Sequence, residues 1–140
     1  AWGVTGNSEY IALGGEFPRV NGVAQQGLVR FAVKAKAPNK SGPQTSGVAA
    51  PKAVKAPNGS IRVPWKATWD MDNTNLTYEV LRDNGTTPVG TVSRASTFWQ
   101  LPTLTFTDTK APRGKHTYKI RVKDPLGNTV TSAASNAVTK

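Results

Sequence analysis

The side chains that most often carry catalysis or bind transition metals are scarce in this chain of 140 residues, which has one histidine, His116, and no cysteine. A nucleophile–base pair or a histidine metal site needs a second member, and His116 has none. Placed just before the run that starts at Tyr118, it reads as an exposed edge residue. Asp70 and Asp72, followed by Asn73, form a tight grouping of oxygen donors. Calcium takes about 6–8 oxygens, and no further acid follows at a useful spacing. Asp and Asn are also ordinary turn formers, so the group reads as a turn, with Asp70 and Asp72 as weak metal candidates. Asp108 and Asp124 read in the same way, as turn and strand-end caps. The expectation is a chain with no catalytic residue, no metal and no cofactor, and hence not an enzyme.

Binding chemistry is better represented. Phe98 and Trp99 are adjacent, and successive side chains of a strand face opposite sides, so one of the two is expected outside the core. An exposed indole at Trp99 would stack on a sugar ring or a partner surface. Alternation through Tyr118–Lys123 points Tyr118, Ile120 and Val122 inward and Lys119, Arg121 and Lys123 outward. With Lys110, Arg113 and Lys115 just before them, these residues form a candidate basic stripe. A neighbouring strand carrying Glu79 would neutralise part of it, in a pair worth about 0.2–1 kcal/mol. The formal charge of +10, from 18 basic and 8 acidic residues, would attract polyanions or simply keep a surface module soluble. No nucleic-acid motif and no helix suited to a groove accompanies it, which argues against a nucleic-acid partner.

These residues need strands to position them. The Pro-, Gly-, Thr-, Ser- and Asn-rich texture and the lack of any sustained helical period predict an all-β protein. No apolar run approaches the about 18 residues of a membrane span, so no membrane insertion is expected. Ile61, Val63, Trp65, Ala67 and Trp69 alternate with polar residues or proline, the pattern of a strand with one buried face. Seven strands are predicted, near Lys52–Ala56, Ser60–Trp69, Thr77–Asp83, Thr86–Ser93, Thr97–Phe106, His116–Lys123 and Ala133–Val138. Turn signals at Asn58-Gly59, Asp70–Asn73, Asp83–Gly85, Pro112–Gly114 and Asp124–Asn128 separate them, the spacing of a β-sandwich. Asn58, Asn75 and Asn84 match glycosylation acceptors and read as turn residues. Residues 1–35 hold apolar runs broken by Gly14-Gly15 and Asn21-Gly22 and predict three short antiparallel strands. Residues 36–51 have the composition of a linker, mobile unless clamped. The division is thus 1–35, 36–51 and 52–140.

Trp65, the run Tyr78–Asp83 with its glycine turn, Phe106–Thr109, and Tyr118–Asp124 with Gly127-Asn128 resemble a bacterial fibronectin type III domain over residues 50–140. Thr91-Val92, Ser96–Trp99 and Asp124–Val130 are similar to modules of large secreted actinobacterial proteins, where they often precede a laminin-G-like domain. The resemblance implies an immunoglobulin-like sandwich of seven strands, an extracellular or cell-surface location, and a hydrogen bond from Tyr118 to backbone near the preceding turn. Tyr10–Leu13, Gly14–Phe17, Val20–Gly22 and Leu28–Phe31 resemble one repeat of a delta-60 type β-propeller. A lone blade lacks the neighbours that bury its faces. It would be covered by laying Tyr10, Leu13, Phe17 and Phe31 on the sandwich, or by dimerisation.

The function expected from these readings is a non-catalytic extracellular module that spaces or presents flanking domains of a longer polypeptide, with weak adhesion to a polysaccharide or cell-wall polymer. The start at Ala1-Trp2 fits a piece of a processed protein. Trp99, Lys115, Lys119, Arg121 and Lys123 are the candidate ligand-binding residues. A carbohydrate-binding accessory module of a polysaccharide-degrading enzyme and a basic polyanion binder are the alternatives.

Overall fold

The computed structural model describes residues 1–37 and 41–140. Residues 38–40 of the expected linker lie outside the described residues. The protein is all-β, and the chain divides into two units, Ala1–Asn39 and Lys40–Lys140.

In the first unit, β1 (Gly3–Gly6), β2 (Tyr10–Gly14), β3 (Arg19–Val20), β4 (Val23–Ala24) and β5 (Leu28–Ala32) follow in order. β1, β2 and β5 form the expected three-stranded antiparallel sheet, and β3 and β4 form a separate ribbon. Asn21 and Gly22 close that ribbon, with φ of 48° and 80°. Residues that tolerate positive φ are what a two-residue hairpin turn demands. The register sets Val4, Ile11, Leu13, Val29 and Phe31 on one face of the larger sheet. None of the described residues of this unit is fully buried.

The second unit is an immunoglobulin-like sandwich. Its strands are β6 (Val54–Lys55), β7 (Ile61–Lys66), β8 (Asn75–Arg82), β9 (Gly90–Ala95), β10 (Thr103–Asp108), β11 (Lys115–His116), β12 (Tyr118–Lys123), β13 (Thr129–Thr131) and β14 (Val138–Thr139). One sheet has the order β10-β7-β6 and the other β13-β12-β8-β9, so seven strands make the two layers. Strands β11 and β14 add a short ribbon. Between the layers Ile61, Val63, Trp65, Leu76, Tyr78, Val80, Tyr118, Ile120 and Val122 are buried, as period-2 alternation demands. Each such side chain contributes about 1.5–3 kcal/mol on full burial. Trp65 and Tyr78 pack with ring centroids 6.0 Å apart.

Three local features differ from what the sequence pattern predicts. Residues 41–51, whose composition is that of a linker, belong to the second unit. The Gln44 N–H donates to Trp69 O at 2.9 Å, and Thr68 Oγ1 donates to Gln44 O at 2.8 Å. This segment thus satisfies backbone groups that β7 leaves open beyond Lys66. Gly47 permits the approach, since a Cβ there would lie 2.7 Å from Thr68 Oγ1. The last predicted strand, Ala133–Val138, is not formed: residues 132–137 lie between β13 and β14, and of the predicted range only Val138 is in a strand. Between them, Ser132 and Ser135 accept the Ile120 and Tyr118 N–H groups through their hydroxyls, at 2.9 Å each. Hydroxyls replace carbonyls as acceptors there, so the edge of β12 stays satisfied without a continuous partner strand.

His116 is the third departure: it is 5% exposed, not an exposed edge residue. It shares the inward parity of Tyr118, and the pairing of β11 with β14 covers it. Its Nδ1 lies 2.6 Å from Asp83 Oδ2 and its Nε2 2.9 Å from Pro112 O. Two acceptors ask for two N–H donors, the imidazolium form. The Asp83 hydrogen bond, with that to Pro112, raises the histidine above its ordinary value. Burial opposes ionisation of Asp83, yet the hydrogen bonds from His116 and the Thr117 N–H hold its carboxyl below the usual range.

Candidate functional site

The segment between β9 and β10 closes as a tight turn. Thr97 N–H donates to Gln100 O and Gln100 N–H to Thr97 O, both at 3.1 Å, which leaves Phe98 and Trp99 as a two-residue tip. Sequence reasoning treats this segment as part of a strand and so expects one exposed aromatic. Because the segment is a turn, both project from the body, Phe98 at 64% and Trp99 at 72% exposure. Neither is a customary turn residue, so no local signal marks the turn. The Phe98 ring stands edge-on to Trp99 at 4.5 Å and to Trp69 at 5.7 Å. Edge-on aromatic contacts of this geometry are favourable and hold the tip in place. Met71, on the loop that follows Trp69, is also exposed.

Beneath the turn, Ser96 Oγ donates to Thr68 O at 2.6 Å and Tyr78 OH to the same oxygen at 3.1 Å. Burial raises the Tyr78 phenol above its ordinary value, and the bonds to Ser96 and Thr68 oppose that shift. Together these contacts tie the turn to the core. Beside it runs an open groove of about 700 Å³, lined by Thr74, Asn75, Ser93, Arg94, Ser96, Thr97, Gln100 and Pro102 among others. Thr97 Oγ1 is enclosed and has no hydrogen-bond partner in the protein. An indole tip beside hydroxyls, amides and one guanidinium can stack on a flat apolar ring face and hydrogen-bond polar groups around its rim.

The basic stripe is smaller than the sequence pattern implies. Lys119, Arg121 and Lys123 share the outer face of β12, whereas Lys115 sits on β11, paired with Thr139. Arg121 Nε contacts Glu79 Oε2 at 2.5 Å, and Lys123 Nζ lies 3.7 Å from Glu79 Oε1. Register places Glu79 directly opposite Arg121, so Arg121 and Lys123 form a cross-strand ion-pair network around one carboxylate.

The remaining carboxylates take structural roles. Asp124 accepts the N–H groups of Leu126 and Asn128, as a turn cap does. Asp108 also caps, accepting Lys110 N–H, and it is buried as well, with Arg82 Nη1 at 2.7 Å and Tyr118 OH at 3.0 Å from Oδ2. The Tyr118 hydroxyl thus donates to a carboxylate and not to the backbone, because Asp108 on β10 lies beneath it. Burial first, then the hydrogen bond to Asp108, push that phenol above its ordinary range. Among the described residues no group of three or more His, Cys, Asp or Glu is arranged to hold a metal ion. Among the described residues no helix is long and apolar enough to cross a membrane.

No family model and no curated protein matches the chain. Among solved structures, the human OSCAR ligand-binding domain is similar at a TM-score of 0.38 and 12% identity, covering 94% of this chain and 88% of that one. At that TM-score the likeness adds nothing to the fold, which rests on the strand pairing described above.

Proposed function

We propose that the chain is a non-catalytic extracellular module of the fibronectin type III kind, preceded by a propeller-like repeat, which spaces or presents neighbouring domains. In this reading Phe98 and Trp99 adhere to a polysaccharide or cell-wall polymer. The observation that carries it is the pair of adjacent aromatics held out on a hydrogen-bonded turn beside a polar groove. A pure spacer has no need of two exposed rings there, and exposed aromatic clusters of this kind mark contact sites. His116 gives no support to catalysis, because both of its ring nitrogens already face protein acceptors. Arg121 and Lys123 share the single Glu79 carboxylate, which offsets one of their two positive charges and weakens the polyanion reading.

Co-sedimentation with insoluble polysaccharides, purified cell wall and DNA-cellulose at low and high salt tests the proposal. Binding to a glycan that resists salt and is lost in Trp99→Ala is the expected outcome. Binding to every polyanion that collapses with salt would instead assign the contact to charge. Binding to nothing would leave the chain as a spacer alone.

A further inference from the structure

Two exposed rings on the turn after β9 provide for stacking, and the groove beside them adds a charge. That groove reaches from Thr97 and Gln100, at the base of the turn, to Arg94, with Asn75 and Ser93 along it. Strand β9 is an edge of the four-stranded sheet, and its register sets Arg94 opposite Leu76 as it sets Val92 opposite Tyr78. Leu76 and Tyr78 face the core, so Arg94 has the core-facing parity of its strand. At this open end of the sandwich that parity brings an exposed guanidinium to the groove and not into packed side chains. Arg82 and Arg121 are held by Asp108 and Glu79, at 2.7 and 2.5 Å. Arg94 has no such partner among the described residues, and no carboxylate lines the groove. Asp70 and Asp72, in the loop before Thr74, are taken up in their own turn, where Asp70 Oδ1 accepts the Asp72 N–H and Asp72 Oδ1 accepts from Asn73 Nδ2, both at 3.0 Å.

We infer that the polymer met by the aromatic turn is a polysaccharide of uronic acids, one of whose carboxylates is taken by Arg94; the inference rests on the reading of Phe98 and Trp99 as a glycan contact. A guanidinium matches a carboxylate with two parallel N–H donors. Each sugar of such a polymer offers both an apolar ring face and an anion, so a chain lying along the groove meets the indole with the first and the guanidinium with the second. The Ser93 hydroxyl and the amides of Asn75 and Gln100 suit the remaining sugar hydroxyls. A single-stranded nucleic acid also stacks on aromatic rings, but it needs a run of cations along its backbone, and the lining supplies one. An inward charge can also guard an edge strand against pairing, yet a guard needs neither a polar groove nor exposed rings.

The test titrates the whole chain calorimetrically, in EDTA at physiological ionic strength, with oligogalacturonate and hyaluronan oligosaccharides, with the methyl ester of each, and with oligo(dT). Esterification removes the charge and keeps the sugar backbone. The expected result is that at least one acid binds about five- to tenfold more tightly than its ester. Arg94→Gln, at an exposed position, is expected to bring the acid down to the affinity of the ester, and Trp99→Ala to abolish the binding of both. Arg62→Gln removes one charge from an exposed position of β7 outside the groove and is expected to keep the preference. Equal affinity for acid and ester, lost in Trp99→Ala, would overturn the inference and leave the aromatic contact standing. Binding to none of the sugars would overturn both. A preference that falls equally in Arg62→Gln and Arg94→Gln, or tighter binding of oligo(dT) than of either acid, would overturn the inference by assigning the contact to overall charge or to nucleic acid.

Discussion

In the first unit β2 sets Ile11 opposite Phe31 and Leu13 opposite Val29; in the second β12 sets Ile120 opposite Val80 and Val122 opposite Tyr78. Both sheets are antiparallel, and both gather apolar side chains on one face by alternation. Ile120, however, is 1% exposed, whereas Ile11 is 52% exposed. What separates them is the second layer. The four-stranded sheet of the sandwich faces another across the core, while the residues of β1, β2 and β5 remain at least partly open. Strand pattern specifies which face is apolar, and a second layer turns that face into stability.

The largest expected effect is a paired truncation. Ile120→Ala lowers sandwich stability by about 2–5 kcal/mol, and Ile11→Ala in the open sheet by less than about 1 kcal/mol, both measured by urea denaturation. Equal losses would show that the first sheet has a core of its own. Next come the glycines. A Cβ at Gly90 would stand 2.1 Å from Phe106 Cε2, so Gly90→Ala forces that ring aside and costs about 1–3 kcal/mol. Gly3 has nothing within 4 Å, and Gly3→Ala is neutral or slightly stabilising on the same denaturation curve.

A smaller contrast separates the polar contacts. The folded-state pKa of His116 lies above its unfolded value of about 6.5, so its contribution is complete below that value and is lost as pH rises through the folded pKa. Asp83 is depressed, so its part is present above about 3.8 and is lost as pH falls through its folded value. Asp83 is 46% exposed, and screening holds the pair to about 1 kcal/mol. Melting temperature followed from pH 5 to pH 9 should decline on the alkaline side, and His116→Gln should flatten that decline. The exposed Lys36–Glu9 pair of the first unit, at 3.1 Å, is worth less, and Lys36→Ala should shift stability by under about 0.5 kcal/mol. Smallest of all is the stability change in Trp99→Ala, also below about 0.5 kcal/mol, since most of that ring is already in water.

Alternation made Ile61, Val63, Trp65, Tyr118, Ile120 and Val122 legible as core, because a period of two is a local property of the chain. The same count would have turned His116 inward, but a lone histidine before a strand is easily taken for an edge residue. Its partner Asp83 lies 33 residues away, a distance no motif spans. The aromatic turn was half legible: Trp99 stood out by type, while the turn that exposes both rings uses no Gly, Asn or Asp. Ser132 and Ser135 were hidden for a related reason, since hydroxyls that stand in for strand carbonyls leave no periodic trace. That Glu79 would meet the basic stripe was legible, but which cation it faces was not, because the register that sets it opposite Arg121 is a property of the paired strands.

Residue-resolved hydrogen exchange under native conditions tests the contrast between the two units most directly. The account predicts that amides of β8 and β12, such as Val80 and Ile120, exchange only through global unfolding, and that those of β1, β2 and β5 exchange orders of magnitude faster through local opening. Equal protection in the two units would contradict it and show that the apolar face of the first sheet is buried in solution.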